Sequence, residues 1–220
     1  MDRFIFEEEH EMFRDSVRSF MKNEIEPHSD RWHVAGIVDR EAYLKAGEMG
    51  FLLMWADEKY GGIGVRDFRY EQILIEENAH HGDAGFFMTL HSRLVAPYFD
   101  TFATEEQKER WLPKCITGEH VLAIGITESG AGSDVAGIRT KAEDKGDHFL
   151  LNGSKTYISN GILADLVIVV ARTDPNNSHA LSLFVVERGM EGFERGQNLK
   201  KMGLKSQDTD RKSTRLNSSH

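Results

Sequence analysis

The sequence has little cysteine and no long apolar run. Its single cysteine, Cys115, excludes an internal disulfide and favours a reducing compartment, and free cysteines of this kind are commonly buried and inert. No apolar run reaches the length of about 18 residues that suggests a membrane span, and the N-terminus shows no charged and then apolar leader. The sequence therefore predicts neither a membrane span nor a secretory signal, and we expect a cytoplasmic protein.

The chain is also poor in positive charge. Its 220 residues contain 27 Lys and Arg against 36 Asp and Glu, which gives a formal net charge of -9. The last ten residues include three basic groups and no acid, so the rest of the chain is more acidic still. Binding to a phosphate backbone by bulk electrostatics is not expected, which argues against nucleic acid as a partner.

Motifs for metal binding and serine hydrolysis are absent. His10-Glu11 has no second histidine of an H-E-x-x-H pattern, and His80-His81 has no ligand set at metal spacing. No G-x-S-x-G elbow occurs. We predict no metal site and no serine hydrolase. The acidic clusters at residues 7–9 and 76–77 are predicted to be solvated helix faces.

The first part of the chain is typical of a helical domain. Apolar residues recur at spacings of three and four from Met12 to Ile25, and Pro27 would end that helix. Four more helices are predicted from caps, breakers and apolar spacing: Arg40–Met49, Phe68 to about His80, Phe86–Phe102, and a last one that begins with a capping box at Thr104 and ends at Pro113 or Gly118.

After Gly118 the pattern changes to short β-branched and aromatic runs that predict strands: VLAIGITE, LLNGSKTYIS, DLVIVVART and LSLFVVERG. Asn152-Gly153 lies between two such runs and predicts a tight hairpin turn. Because no long helical segment separates the strands, a parallel dinucleotide-binding sheet is not expected. The predicted fold class is α+β, with an all-α N-terminal domain at residues 1–120 and an antiparallel, β-barrel-like middle domain at residues 121–209.

The stretch ITESGAGSD, residues 126–134, has the glycines of a phosphate-binding loop. A Rossmann fingerprint needs a helix directly after the loop, whereas Gly137 is out of register and IRTKAEDKGDHFLL has hairpin and strand character. A Walker loop is excluded because no Gly-Lys-Ser/Thr follows. A glycine-rich turn between two strands, without any ligand, stays open as an alternative.

A second segment, YISNG, begins at Tyr157. Strand alternation would put Tyr157 and Ser159 on one face and Ile158 on the other. An aromatic plane beside a hydroxyl, close to a turn rich in N–H groups, suits a flat heteroaromatic cofactor with a phosphate tail. A core role for Tyr157 and a turn-satisfying role for the Ser159 hydroxyl stay open as alternatives.

Together, ITESGAGSDVAGIRTKA and LNGSKTYISNG resemble the flavin segments in the middle domain of the acyl-CoA dehydrogenases. The resemblance continues in order through YGGIGV, EEQKERWLPK and KKMGLKSQDT, over residues 6–209, and is strongest to long-chain members. It implies FAD as cofactor and α,β-dehydrogenation of a fatty acyl-CoA, in fatty acid β-oxidation, as the reaction. It also implies an electron-transferring flavoprotein as the electron acceptor and a homo-oligomeric full-length protein.

The resemblance implies roles for individual residues of the first flavin segment. The strand and loop from Ile124 to Ser133 would run along the flavin, with Ile126 and Thr127 at the isoalloxazine ring. Ser133 would lie near the pyrophosphate and also near the acyl-CoA. Gly132 belongs to the same cofactor-binding loop.

In the second segment, Tyr157 would cover one face of the flavin ring, where many relatives have Trp. Ser159 would hydrogen-bond near flavin N5, where Thr is common, and Ile158 lies between them. Ser178 and His179 would lie at the CoA moiety, although an exposed loop histidine is an equal alternative for His179. The implied cofactor-binding residues are therefore Ile124, Ile126, Thr127, Gly132, Ser133, Tyr157, Ile158 and Ser159, and the implied substrate-binding residues are Ser133, Ser178 and His179.

The resemblance assigns no catalytic residue to this chain, because the family's base is a glutamate in a C-terminal helical domain. We expect the chain to be truncated before that domain and to be inactive or nearly so alone. Residues 210–220, DRKSTRLNSSH, show no strand pattern and are expected to be non-native or a disordered tail. Three other readings stay open: an acyl-CoA oxidase or flavin monooxygenase on the same scaffold, a non-catalytic acyl-CoA or flavin-binding module, and an incomplete chain without a physiological role.

Overall fold

A computed structural model of the chain describes residues 4–210 and 213–214. The chain divides into two compact units, which we call the helical unit (Met1–His120 with Lys201–Gln207) and the β unit (Val121–Lys200 with Asp208–His220). Within the described ranges, every helix falls short of the length and apolarity that a membrane-spanning helix requires.

Among its described residues, the helical unit contains six α-helices: α1 (Glu8–Phe20), α2 (Ser29–Ala35), α3 (Arg40–Glu48), α4 (Phe68–His81), α5 (Ala96–Phe102) and α6 (Glu105–Ile116). Helix α1 packs along α4, and edge-to-face aromatic pairs join Phe13 to both Phe51 and Tyr70. Short π-helical turns lie at Met21–Ile25 and Leu90–Val95, and 3-10 turns lie at Glu26–His28 and Glu58–Tyr60.

The predicted helical character of this half is confirmed, but several helix ends differ. Helix α1 ends at Phe20, before a π-helical and a 3-10 turn, and Pro27 lies within the 3-10 turn, where its missing N–H is tolerated. Helix α2 was not predicted. Helix α5 begins at Ala96 rather than at Phe86, because Leu90–Val95 is π-helical. Of the two predicted ends of the last helix, Pro113 is wrong, since α6 runs on to Ile116, whereas Gly118, at a φ of 78°, follows the C-cap as predicted.

One acidic cluster that the sequence predicts to be solvated is partly buried. Glu77 on α4 is only 2% exposed, and its carboxylate accepts hydrogen bonds from Arg14 and Arg18 of α1 at 2.9–3.1 Å. Burial alone would raise the pKa of Glu77, but the hydrogen bonds from the two guanidinium groups outweigh burial and hold its pKa below the ordinary value. The helical pattern could not show this, because the partners lie on another helix.

The capping box at the start of α6 is confirmed and gives a first test. Gln107 N donates to Thr104 Oγ1 at 3.3 Å, and the Gln107 side chain accepts from Thr104 N at 2.9 Å. We expect Thr104→Ala to lower the free energy of unfolding by about 1 kcal/mol, because a helix N–H loses its acceptor. Urea denaturation followed by circular dichroism measures the loss. Thr101→Ala, at an exposed position inside α5, is the control, and equal losses in both variants would contradict the capping role.

In the part of the chain that the structure describes, the β unit contains nine strands: β1 (Leu122–Gly125), β2 (Lys141–Asp144), β3 (Phe149–Asn152), β4 (Ser154–Lys155), β5 (Ile158–Ser159), β6 (Leu166–Arg172), β7 (Leu181–Glu187), β8 (Thr209–Asp210) and β9 (Ser213–Thr214). The main sheet has the order β1-β6-β2-β3, and β7 also pairs with β6. Two small sheets pair β4 with β9 and β5 with β8. The core lies around β6, whose first six residues are buried.

The predicted antiparallel barrel is wrong. Strands β1 and β2 run parallel to β6, whereas β3 and β7 run antiparallel to their neighbours, so the sheet is mixed. No closed barrel is found in the described part of the chain. Parallel pairing needs a connection of about a dozen residues or more. The chain between β1 and β6 provides this length through β2–β5 instead of through a long helix.

The predicted hairpin at Asn152-Gly153 is also wrong. Strand β3 before it pairs with β2, and β4 after it pairs with β9, so this turn joins no paired strands. The hairpin lies between β2 and β3, where Lys145 N donates to His148 O at 2.8 Å. A Cβ at Gly153 would lie 2.6 Å from Thr140 Cα, so close backbone approach explains this glycine.

The expectation of no strand in the C-terminal segment is wrong for its first residues. Asp210 pairs with Ile158 in β8, and Ser213–Thr214 pair with β4 as β9. Residues 211–212 and 215–220 lie outside the described residues. The idea that the segment is non-native stays a prediction.

Candidate functional site

The glycine stretch forms a tight turn directly after β1. Glu128 N donates to Ala131 O at 2.9 Å, and Ala131 N donates back to Glu128 O at 3.1 Å. A 3-10 turn at Val135–Gly137 follows, and three residues are too few for the helix of a Rossmann phosphate site. This geometry agrees with the prediction from sequence that the stretch is not a Rossmann phosphate site.

The two glycines of the turn face open space. Gly130 and Gly132 are not among the glycines with positive φ, and a Cβ on either would meet no described atom within 4 Å. Ser133 beside them is exposed. Turn geometry and packing therefore do not explain these glycines, whereas the close approach of a ligand to the backbone would.

Tyr157 is held away from the core. Its φ is 59°, in the left-handed region, and its side chain is 65% exposed, which excludes the alternative of a core aromatic. Its N–H donates to Asp210 O at 2.8 Å. Ile158 is buried and Ser159 is half-buried, but regular strand geometry begins only at Ile158. Left-handed backbone at a non-glycine residue is unfavourable and is often found at binding sites.

The two predicted flavin segments meet at the end of β1. Thr156 N donates to Thr127 O at 2.8 Å, and β1 contacts β5. A Cβ at Gly125 would lie 3.4 Å from Ile158 Cδ1, so Ile158 packs directly on β1. Among the described residues, no acceptor is found for the Thr127 N–H, and the buried Thr156 Oγ1 has no hydrogen-bond partner. Unused polar atoms thus lie on Thr127, next to the glycine turn, and on Thr156, next to Tyr157.

A buried ion pair, Glu128 with Lys155, joins the same two segments. Lys155 Nζ donates to Glu128 Oε1 at 2.8 Å and to Ile126 O at 3.0 Å, and its side chain is 1% exposed. Burial lowers the pKa of Lys155, against the hydrogen bond to Glu128, which raises it. Burial alone would raise the pKa of Glu128, but hydrogen bonds from Lys155, Thr140 and backbone N–H groups outweigh burial and lower it.

The remaining predicted residues lie on neighbouring parts of the β unit. Ile124 is half-buried in β1, and Ile126 packs against the small cluster of Ala131, Ile138 and Val170, as does Leu181. Ser178 and His179 precede Leu181 on the β6–β7 connection, Ser178 half-buried and His179 exposed. No hydrogen bond or ion pair within the described residues joins either side chain to Ser133, so their shared site stays a prediction.

Two family models match the chain and together cover most of it. The model described as acyl-CoA dehydrogenase, N-terminal domain, matches residues 7–119, and the model for the middle domain of the same enzymes matches residues 123–214. The chain belongs to the acyl-CoA dehydrogenase family. Its members are FAD-dependent oxidoreductases that act on a CH–CH group.

Individual relatives agree with this assignment. The chain is 47% identical over 210 residues to the long-chain specific acyl-CoA dehydrogenase, mitochondrial, of Mus musculus, covering 94% of this chain and 49% of that protein. The crystal structure of acyl-CoA dehydrogenase from Geobacillus kaustophilus superposes with a TM-score of 0.94 at 44% identity, over 99% of this chain and 58% of that one. A glutaryl-CoA dehydrogenase from Mycobacterium smegmatis in complex with FADH2 gives a TM-score of 0.87 at 28% identity, over 97% and 54%. The chain thus spans about half the length of these relatives.

Three residues that shape this candidate site were not found from the sequence. Glu128 and Lys155 lie inside the two predicted flavin segments, and their opposite charges are the only sequence feature that could have indicated an ion pair. Arg172, at the end of β6, donates to Ala136 O and Ile138 O, both at 2.8 Å, and so fixes the turn after the glycine loop. Nothing in its local sequence indicates this role.

One group in the helical unit has the composition of a metal site. Glu7, Glu9 and His10 place ligand atoms within 4.8 Å of one another. However, His10 Nδ1 accepts a hydrogen bond from Glu7 N at 3.2 Å in the capping box of α1, which accounts for the buried imidazole. The absence of a metal from this acyl-CoA dehydrogenase chain stays a prediction.

Proposed function

We propose that the β unit holds FAD between the glycine turn and Tyr157, for the α,β-dehydrogenation of a fatty acyl-CoA. The observation that carries the proposal is an exposed aromatic side chain, held by left-handed backbone, beside a glycine turn whose open space the protein leaves unfilled. Membership of the family supports the choice of flavin, as does the structural relative in complex with FADH2.

Each predicted residue has a role in this proposal. The Thr127 N–H would donate to a polar edge of the flavin, and Tyr157 would cover one face of the ring. Ser159 would offer its hydroxyl near N5, and Gly132 and Ser133 would lie along the pyrophosphate. When bound, FAD supplies the hydride acceptor. The chain's residues bind and orient it and keep water from the covered face.

The reaction also needs a base for the Cα proton and donors for the enolate-like oxygen. The resemblance places the base in a C-terminal helical domain, outside the two matched domains, so we assign it to none of the described residues. We propose Ser133, Ser178 and His179 as contacts for the acyl-CoA. The likeness to long-chain specific relatives supports a long acyl chain.

Three properties of the whole protein belong to the same proposal. They are transfer of electrons to an electron-transferring flavoprotein, homo-oligomerisation and a cytoplasmic location. Cell fractionation tests the cytoplasmic location. Recovery in the mitochondrial fraction, the compartment named for two of the long-chain relatives, would contradict it.

Gly132→Val tests where the cofactor lies. A Cβ here meets no described atom of the protein within 4 Å, so we expect little change in stability but FAD binding weakened about tenfold or more by collision of the valine with the ligand. Titration of the wild-type chain with FAD, followed by flavin fluorescence, measures the dissociation constant. Gly203→Val is the matched control, because this exposed glycine of the helical unit also has open space around it. Equal FAD affinity in wild type and Gly132→Val would reject the proposed position.

A further inference from the structure

The ion pair of Glu128 and Lys155 is buried, and a contribution to stability alone does not explain why these two charges are kept there. The two side chains are 9% and 1% exposed, whereas Lys145 and Glu143 in the neighbouring hairpin form an ion pair at 38% and 63% exposure. Removing two charges from water is expensive, and well-packed apolar residues often stabilise a fold as well or better. A buried pair between two binding segments therefore suggests a role in positioning.

Lys155 fixes the direction of one backbone N–H. Its ammonium donates to Ile126 O at 3.0 Å. Peptide units are planar, and this chain contains no cis peptide among the described residues, so the Thr127 N–H points opposite to the Ile126 carbonyl. Thr127 O is fixed in turn by Thr156 N at 2.8 Å. No protein acceptor for the Thr127 N–H is found in the described ranges, so the lysine holds this donor ready for a ligand.

Glu128 fixes the other side of the turn. Its Oε2 accepts from Arg139 N at 2.7 Å, and its Oε1 accepts from Thr140 N at 2.9 Å and from Thr140 Oγ1 at 2.6 Å. The carboxylate thus ties the glycine turn to the start of β2 while it holds the ammonium of Lys155. Neither oxygen is left unpaired.

The lysine stem also explains a glycine in β1. A Cβ at Gly125 would lie 3.2 Å from Lys155 Cγ, so the stem crosses β1 where no side chain intervenes. Tyr157 follows Lys155 by two residues, after Thr156. One side chain therefore determines where both the Thr127 N–H and the strand leading to the tyrosine lie.

We propose that Lys155 and Glu128 are positioning residues. They aim the Thr127 N–H at an electron-rich edge of a flavin, and they hold the segment of Tyr157 so that the tyrosine can cover a face of the flavin ring. This inference rests on the proposed function, that the β unit binds FAD. If the pair serves stability alone, removing both charges together should leave FAD binding intact once the fold is preserved.

The decisive variant is the double substitution Lys155→Met/Glu128→Gln. It leaves no unpaired buried charge, and the glutamine oxygen keeps an acceptor for Thr140, whereas the Arg139 N–H and the Ile126 carbonyl each lose a partner. We expect thermal stability closer to wild type than that of Lys155→Met alone, together with FAD affinity about tenfold weaker, as for the loss of one aligned hydrogen bond to a ligand. Lys145→Met/Glu143→Gln, which removes the exposed pair of the hairpin, is the control.

Wild-type FAD affinity in a folded double variant would overturn the positioning role. A wild-type chain and a control variant that both fail to bind FAD would instead overturn the proposed function, and this inference with it. Weak binding by the double variant alone supports the inference.

A second measurement needs no variant. Amide hydrogen exchange in the wild-type chain should slow about tenfold or more at Thr127 when FAD is added, because the free N–H gains an acceptor. The Lys145 amide, already bonded to His148 O, should not change. FAD binding without protection at Thr127 would overturn the proposal even if the double variant does not fold.

Discussion

Alanine in place of Gly47 is expected to destabilise the helical unit by about 1–3 kcal/mol, although alanine is the better helix former. In a helix interior the change from glycine to alanine ordinarily stabilises by about 1 kcal/mol. A Cβ at Gly47 in α3, however, would lie 2.3 Å from Thr117 O and 2.9 Å from Ile116 O. Both atoms are backbone atoms at the end of α6, so no side-chain rotation can relieve the contact.

A second glycine shows the same close approach. A Cβ at Gly118, where φ is 78°, would lie 2.1 Å from Tyr43 O of α3. Helix α3 and the end of α6 therefore touch through backbone, and the glycines permit that contact. A Cβ at either position therefore collides with backbone of the other segment, which explains why the sign of the effect reverses.

Urea denaturation of wild type and of Gly47→Ala measures the change in the free energy of unfolding, and the sign of that change decides the test. Gly50→Ala serves as the control, because Gly50 has a φ of 72° but no atom within 4 Å of a Cβ. It should lose about 1 kcal/mol from backbone strain alone. A Gly47→Ala variant as stable as wild type, or more stable, would show that α3 and α6 can move apart freely.

Helix positions could be predicted because their signals are local. The capping box of Thr104 and Gln107 and the stop at Gly50 depend on residues a few positions apart, and both are found. The π-helical turns at Met21–Ile25 and Leu90–Val95 have no comparable sequence signal. For this reason the end of α1 and the start of α5 differ from the predicted positions.

Strand direction could not be predicted, because it depends on distant partners. Asn152-Gly153 has the composition of a hairpin turn, yet β3 pairs with β2, the strand that precedes it in the chain, and β4 pairs with β9. Glycine is instead required at position 153 by the close approach of Thr140, thirteen residues earlier in the chain. A turn signal specifies local backbone and leaves the choice of partner strand open.

The candidate site divides in the same way. The motifs identify Gly132, Thr127 and Tyr157, which the structure brings to neighbouring segments. They do not reveal that Glu128 and Lys155, 27 residues apart, are buried together, because charged residues are ordinarily expected on the surface. Nor do they reveal the left-handed backbone of Tyr157, which Asp210 holds from the far end of the chain.

Glycine in place of Tyr157 is expected to keep or raise stability while weakening FAD binding about tenfold or more. The left-handed φ of 59° costs tyrosine of order 1 kcal/mol, which glycine avoids. The more flexible unfolded chain offsets this gain by a similar amount. The ring is 65% exposed, so the fold loses little buried area, whereas a stacked flavin would lose its aromatic face.

Two further variants make this test specific to the flavin. Tyr157→Trp keeps an aromatic plane and should bind FAD about as tightly as wild type. Leu204→Gly relieves a similar left-handed backbone, at φ 46°, on a half-exposed residue of the helical unit and should leave FAD affinity unchanged. Urea denaturation and FAD titration of the same samples separate the two effects. Unchanged FAD affinity in Tyr157→Gly would show that the tyrosine ring does not cover the flavin.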